Sequence, residues 1–180
     1  IMTGPGLPRG VKIDTPVGHV DLVATMLEWA GVKKPLELRG HSLIPLLNRK
    51  SADHPKFAFC ETHSEGNCTG SFMIRKGDWK YIHFTWYNDL LFNVKQDPFE
   101  FNNRINDPKT KDIQIELTEI LNNLLDTEEV TIRAFKTQDA MLQDWANRMS
   151  ENELFKAFES RLGKGQARSM AKMVKDRFTS

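Results

Sequence analysis

The feature that most constrains this chain is a tight turn. Lys76-Gly77-Asp78 separates Ser71–Arg75 from Trp79–Phe84, two short runs carrying Phe72, Met73, Ile74, Trp79, Tyr81 and Phe84. A glycine in so short a break commits the flanking runs to an antiparallel hairpin. Phe57–Thr62 reads as a further strand upstream, and Leu90–Val94 as one downstream, ended by Asp97-Pro98. About four short strands joined by turns and one polar loop predict a small antiparallel sheet. The chain has 180 residues, 39 % of them hydrophobic and 27 % charged. That is a globular composition with room for one domain of ordinary size and an appendage.

The flanks read as helix. Val20, Val23, Leu27 and Ala30 recur at spacings of three and four, with Met26 beside them, until Gly31 stops the pattern. Residues 1–8 read as the tail of a strand running into a Gly/Pro turn, with Thr15-Pro16 opening the helix that follows. Lys33–Pro55 reads as a loop with one apolar knot at Leu43–Leu47. Ile113, Leu117, Ile120, Leu121 and Leu124 form a helical stripe, and a second helix is expected across Thr131–Met149. Beyond it, Gly163 and Gly165 divide 154–180 into two short helices with a flexible joint. The predicted class is α+β. The expected division is 1–50, 51–127 and a helical, basic 128–180.

Charge excludes a broad class of function. Twenty-five Lys and Arg stand against 24 Asp and Glu, a net charge of +1. That gives no basis for a general nucleic-acid binder. A local surplus of five lies in 154–180, where seven cations meet two acids; a solvated helix face is its commonest meaning. No apolar run approaches the roughly 20 residues of a membrane span.

Motifs for chemistry are sparse. Cys60 and Cys68 lack zinc spacing and cannot build a disulfide framework. None of His19, His41, His54, His63 and His83 has the paired spacing of a metal-binding helix. Asn67-Cys68-Thr69 matches a glycosylation sequon, a pattern that recurs by chance. His63 differs in kind, because it follows a strand and opens the polar loop that runs to Asn67. Loops anchored at strand ends are where sites are placed. His63 is therefore a candidate site residue, and no catalytic or metal-ligating residue is assigned.

Four segments in order resemble the sulfatase family of the alkaline-phosphatase superfamily. Leu91-Phe92-Asn93-Val94-Lys95-Gln96-Asp97-Pro98-Phe99-Glu100-Phe101-Asn102-Asn103 resembles its L-[YF]-[DN]-L-x-x-D-P-x-E-x-x-N segment. Met73–Ile82 resembles its R-x-G-x-[WY]-K-[YL]-I hairpin. His19–Gly31 is similar to its V-D-L-x-P-T-L-L-x-L-A-G helix, with Ala24 where the family has Pro. Arg39–Leu47 resembles its G-x-S-L-x-P-L-L segment. The match covers about residues 1–105, and 130–180 carry no motif of the family.

The resemblance implies that 1–50 are the last strand and helix of the large α/β domain. It implies that 51–127 are the small C-terminal subdomain bordering the substrate cleft, where the alcohol part of a sulfate ester is chosen. The divalent cation (Ca or Mg) and the formylglycine it implies belong to an N-terminal part. Neither cysteine here stands in the C-x-[PA]-x-R segment that becomes formylglycine, so the chain alone is expected to be inactive and to work with that domain in cis. The resemblance makes Glu61, His63 and Glu65 the candidate substrate-binding residues: Glu61…Glu65-Gly66 resembles an acidic region of choline-sulfatase-like members, from which Thr62-His63 departs, leaving sugar and aryl sulfates equally open. The competing expectations are a phosphodiesterase or phosphonate monoester hydrolase of the same superfamily, and a non-catalytic interaction module.

Overall fold

The structure is a computed structural model that describes residues 1–49, 54–63 and 67–178. Its order is α1 (His19–Trp29), α2 (Ile44–Leu47), β1 (Phe57–Thr62), β2 (Ser71–Lys76), β3 (Trp79–Phe84), β4 (Leu90–Asn93), a 3₁₀ turn (Pro108–Thr110), α3 (Lys111–Leu124), α4 (Thr127–Arg148), α5 (Glu151–Leu162) and α6 (Lys164–Phe178). Two compact units result, Ile1–Thr127 and Glu128–Ser180.

The sheet is fully antiparallel in the order β1-β2-β3-β4. Its centre is the expected hairpin: Lys76 pairs with Trp79, and Gly77 takes the positive φ of 53° that the tight turn needs. Register decides the core. Phe72 and Ile74 lie opposite His83 and Tyr81, and Tyr81 lies opposite Leu91, so their side chains share one face. Helix α3 lays Leu117 and Leu121 on that face, and Phe72, Ile74, Tyr81, Leu91, Leu117 and Leu121 are all fully buried. Of the predicted stripe, Leu124 falls outside this core and is exposed. Trp79, at the hairpin end, is only half-buried.

Side chains close the loop after β4. Asn93 Oδ1 accepts the N–H groups of Lys95 (3.2 Å) and Gln96 (3.0 Å), and Asp97 Oδ2 accepts that of Asn102 (2.8 Å). Asn103 Oδ1 then accepts from Leu91 N–H (2.9 Å), returning the chain to the β4 edge. Asn93 thus ends the strand by accepting from the backbone donors that leave the ladder, and Asp97 closes the loop that follows.

The first 50 residues supply the expected helix without the expected strand. Residues 1–8 are a turn and irregular chain, because no described strand lies beside them to complete a ladder. Helix α1 starts at Gly18 rather than at Thr15-Pro16. Asp21 Oδ2 accepts the Gly18 N–H at 2.7 Å, and Asp21 Oδ1 accepts the His41 N–H at 2.8 Å. Burial pushes the Asp21 carboxyl up, but these N–H donors and His54 hold it below the ordinary carboxylate range. Gly40 is required beside it: a Cβ there would lie 2.0 Å from the Val20 carbonyl oxygen.

In the second unit Leu154, Ala146, Ala171 and Val174 form a core walled by Trp145, Phe155 and Phe158. Ser150 caps α5, its Oγ accepting from Glu153 N–H while Glu153 Oε2 accepts from Ser150 N–H at 2.8 Å. Gly163, at φ 73°, separates α5 from α6, where a glycine joint is expected.

Candidate functional site

The antiparallel register brings two connections to one end of the sheet. Thr62 pairs with Ser71, and Ser71 with Phe84. The β1–β2 loop and the β3–β4 turn therefore emerge side by side. They are tied together by Thr85 N–H donating to the Gly70 carbonyl (3.1 Å) and Thr69 Oγ1 donating to the Thr85 carbonyl (2.8 Å). Both threonines are buried, so the tie is part of the fold.

Glu61 and His63 flank the start of the first loop. Glu61 lies opposite Phe72 on the edge strand and is exposed. The His63 ring meets Phe72 edge-to-face at 5.3 Å, and its Nε2 stands 3.8 Å from Glu61 Oε2. This places an acid and an imidazole together at the sheet end, on an apolar floor. Glu65 lies outside the described residues. Strand β1 is apolar in composition but not buried. It is an edge strand, with Cys60 and Glu61 exposed, because only β2 covers one side of it.

A second polar group at this end was not legible as one in the sequence. His83 Nδ1 lies 2.8 Å from Asp89 Oδ1, and Tyr81 donates its phenol O–H to Asp89 Oδ2 at 2.5 Å. On the other side of the ring, His83 Nε2 lies 3.3 Å from Thr127 Oγ1. Burial raises the Asp89 carboxyl, but hydrogen bonds from His83 and Tyr81 hold it below the usual carboxylate range. Burial, with the Asp89 bond, raises the Tyr81 phenol well above its usual value. Phe72 stands between the two histidines, 5.3 Å from the His63 ring and 6.3 Å from that of His83. The sequence signal that could have found this group is the six-residue separation of His83 and Asp89 across the turn residues Trp86, Tyr87 and Asn88.

The arrangement can bind and orient; it does not supply a metal centre. Among the described residues no three His, Cys, Asp or Glu side chains converge as a metal site would. The Glu61–His63 and Asp21–His54 pairs each stop at two groups, and Cys60 and Cys68 are separate exposed thiols. The described residues therefore do not fit the formylglycine or the divalent cation that the sulfatase resemblance implies. No helix among the described residues is long and apolar enough to cross a membrane.

Comparison with known proteins places this geometry. Over 159 residues the chain is 30 % identical to arylsulfatase K of Danio rerio, covering 84 % of this chain and 30 % of that protein. Over 147 residues it is 32 % identical to a Δ4,5-hexuronate-2-O-sulfatase of Bacteroides thetaiotaomicron, covering 76 % of this chain and 30 % of that protein. A protein solved in complex with its substrate D-glucosamine-2-N,6-O-disulfate superposes with a TM-score of 0.52 at 29 % identity, over 58 % of this chain and 23 % of that one. The chain thus spans under a third of the length of the curated relatives it matches. A family model described as N-sulphoglucosamine sulphohydrolase, C-terminal, matches residues 1–127, the whole of the first compact unit. The chain belongs to this family of C-terminal sulfatase domains.

Proposed function

We propose that this chain serves a sulfatase hydrolysing sulfate esters of sugars, and that the end of the sheet bearing Glu61 and His63 borders its substrate cleft. The observation that carries the reading is the pairing of Glu61, on the end of β1, with His63, just past it, in a fold shared with sulfatases. Two of the similar proteins bear on the substrate: one is named for a hexuronate sulfate, and the other is solved with a sulfated glucosamine.

On this reading 1–50 close the large α/β domain, 51–127 form the small subdomain, and 128–180 are a basic helical extension. Support for the first of these comes from α1, where Val20, Val23, Met26 and Trp29 are all exposed. An amphipathic helix with its apolar side in water is best explained by a covering layer. The formylglycine and the cation would be held by that layer's domain. The residues here would act on the alcohol part: His63 and Glu61 would hydrogen-bond sugar hydroxyls and orient the ring, while Phe72 keeps the imidazole fixed.

The test is a comparison of substrates in the intact enzyme. His63→Ala and Glu61→Ala should change kcat/KM unequally across sulfate esters with different alcohol parts. Equal small effects on every ester would show this loop to be plain surface.

A further inference from the structure

Beside the Glu61–His63 loop, a cavity of about 440 Å³ opens against the β3–β4 turn and the 103–106 loop. Its lining is unusual for an unused surface. Tyr87 is 60 % exposed, and the neighbouring Trp86 is 57 % exposed. Trp86 also holds a φ of 67°. That region is unfavourable for a bulky residue, so folding alone would be better served there by Gly or Asn.

The polar groups lining the cavity are three amides and the mutually paired His83 and Asp89. Asn88, Asn103 and Asn106 line the cavity with Ile105. Asn103 spends its Oδ1 on the N–H groups of Leu91 and Ile105, which fixes the side chain and leaves its NH₂ to donate. The charges present are already matched. Asp89 is met by Tyr81 and His83, and no Lys or Arg lines the cavity. A sulfate or phosphate would find no Lys or Arg here, and His83 is already taken by Asp89. Hydroxyl groups would find neutral donors and acceptors, and the weakly positive C–H face of a pyranose would find the negative face of an aromatic ring.

We infer that Tyr87, flanked by Trp86 and faced by Asn88, Asn103 and Asn106, forms a carbohydrate subsite that stacks an unsulfated pyranose unit. The tie between the two loops through Thr69, Gly70 and Thr85 sets this subsite next to the Glu61–His63 loop. It therefore holds a further unit of the saccharide whose sulfated residue lies in the cleft. This rests on the reading that the ester's alcohol part is a sugar, and it adds that the substrate is longer than one sugar.

The experiment uses the 180-residue chain and an unsulfated hexuronate–N-acetylglucosamine tetrasaccharide. Saturation-transfer NMR should show transfer to the pyranose ring protons, and titration should give a saturable curve. Tyr87→Ala should weaken binding about tenfold or more, ~1.4 kcal/mol. Tyr87→Phe, which keeps the ring, should stay within about threefold of the parent. Asn106→Ala should weaken binding while the circular dichroism and melting midpoint stay those of the parent. Absence of transfer to the parent chain, or equal binding by Tyr87→Ala, overturns the subsite. The sulfatase reading fails separately, if the intact enzyme binds this saccharide yet hydrolyses no sulfated form of it. If it hydrolyses sulfated monosaccharides and disaccharides equally well, that reading survives and the subsite does not.

Discussion

At the scale of single residues, the Asp89 carboxylate joins the β3–β4 turn to the core through Tyr81 and His83. An amide at this position cannot accept from both partners equally, so Asp89→Asn should lose about 1–3 kcal/mol of stability at neutral pH. The sign of the pH dependence follows from the depressed carboxyl. The ionised form contributes fully above the ordinary Asp value of about 4, and that contribution is lost as pH falls through the lower folded value. Urea titrations at neutral pH and near pH 3 should therefore show the gap between parent and Asp89→Asn shrinking in acid; a gap that grows would refute the account. Gly40 makes a second residue-scale case, of close approach. Since a Cβ there would meet the Val20 carbonyl at 2.0 Å, Gly40→Ala should displace the 39–43 segment from α1, visible as shifted amide resonances at His41 and Asp21.

At the scale of elements, α3 is held by two leucines and α5 by its cap. Leu117 is completely buried against the sheet, so Leu117→Ala should cost about 2–5 kcal/mol in chemical denaturation. An unchanged midpoint would mean that α3 does not pack there. Ser150→Ala removes the reciprocal pair with Glu153 and should cost about 0.5–2 kcal/mol, read as loss of helical signal on heating. The elements were largely legible in the sequence. Phe57–Thr62 and the hairpin fall where turn chemistry puts them, and α1 and α3 where apolar spacing does. The misread element is the strand at residues 1–8. A run of residues can favour extended chain, but a strand exists only where a neighbour accepts its hydrogen bonds.

At the scale of the whole molecule, stability should be distributed unevenly. Strands β2 and β3 with α3 share the fully buried core, whereas α1 buries only Asp21, Ala24 and Thr25 and leaves five large apolar side chains exposed. Hydrogen exchange should then be slowest in Phe72–Ile74, Tyr81 and Leu117–Leu121 and faster in α1. Equal protection of α1 and β3 would contradict the proposal that α1 needs a covering layer. Aryl sulfate turnover offers a second whole-molecule test. The chain by itself should show none, since no described residues converge as a metal site and neither cysteine is placed to become the nucleophile. Metal-dependent turnover by the purified chain would overturn this.

Local chemistry in the sequence determined the hairpin, the helix periods and the family motifs, because a glycine turn and an apolar stripe act on neighbours within a few residues. It also singled out His63 and Glu61, whose separation of two positions puts them together at a strand end. Only the tertiary structure decided that β1 is an edge, that the Thr62–Ser71 pair and the 85–89 turn share one end of the sheet, and that His83 reaches Asp89 and Thr127 at once. His83 and Thr127 are 44 positions apart, and no local period links them. Their meeting depends on strand register and on where α3 ends, which are set by the burial of Phe72, Ile74, Tyr81, Leu91, Leu117 and Leu121 as one core.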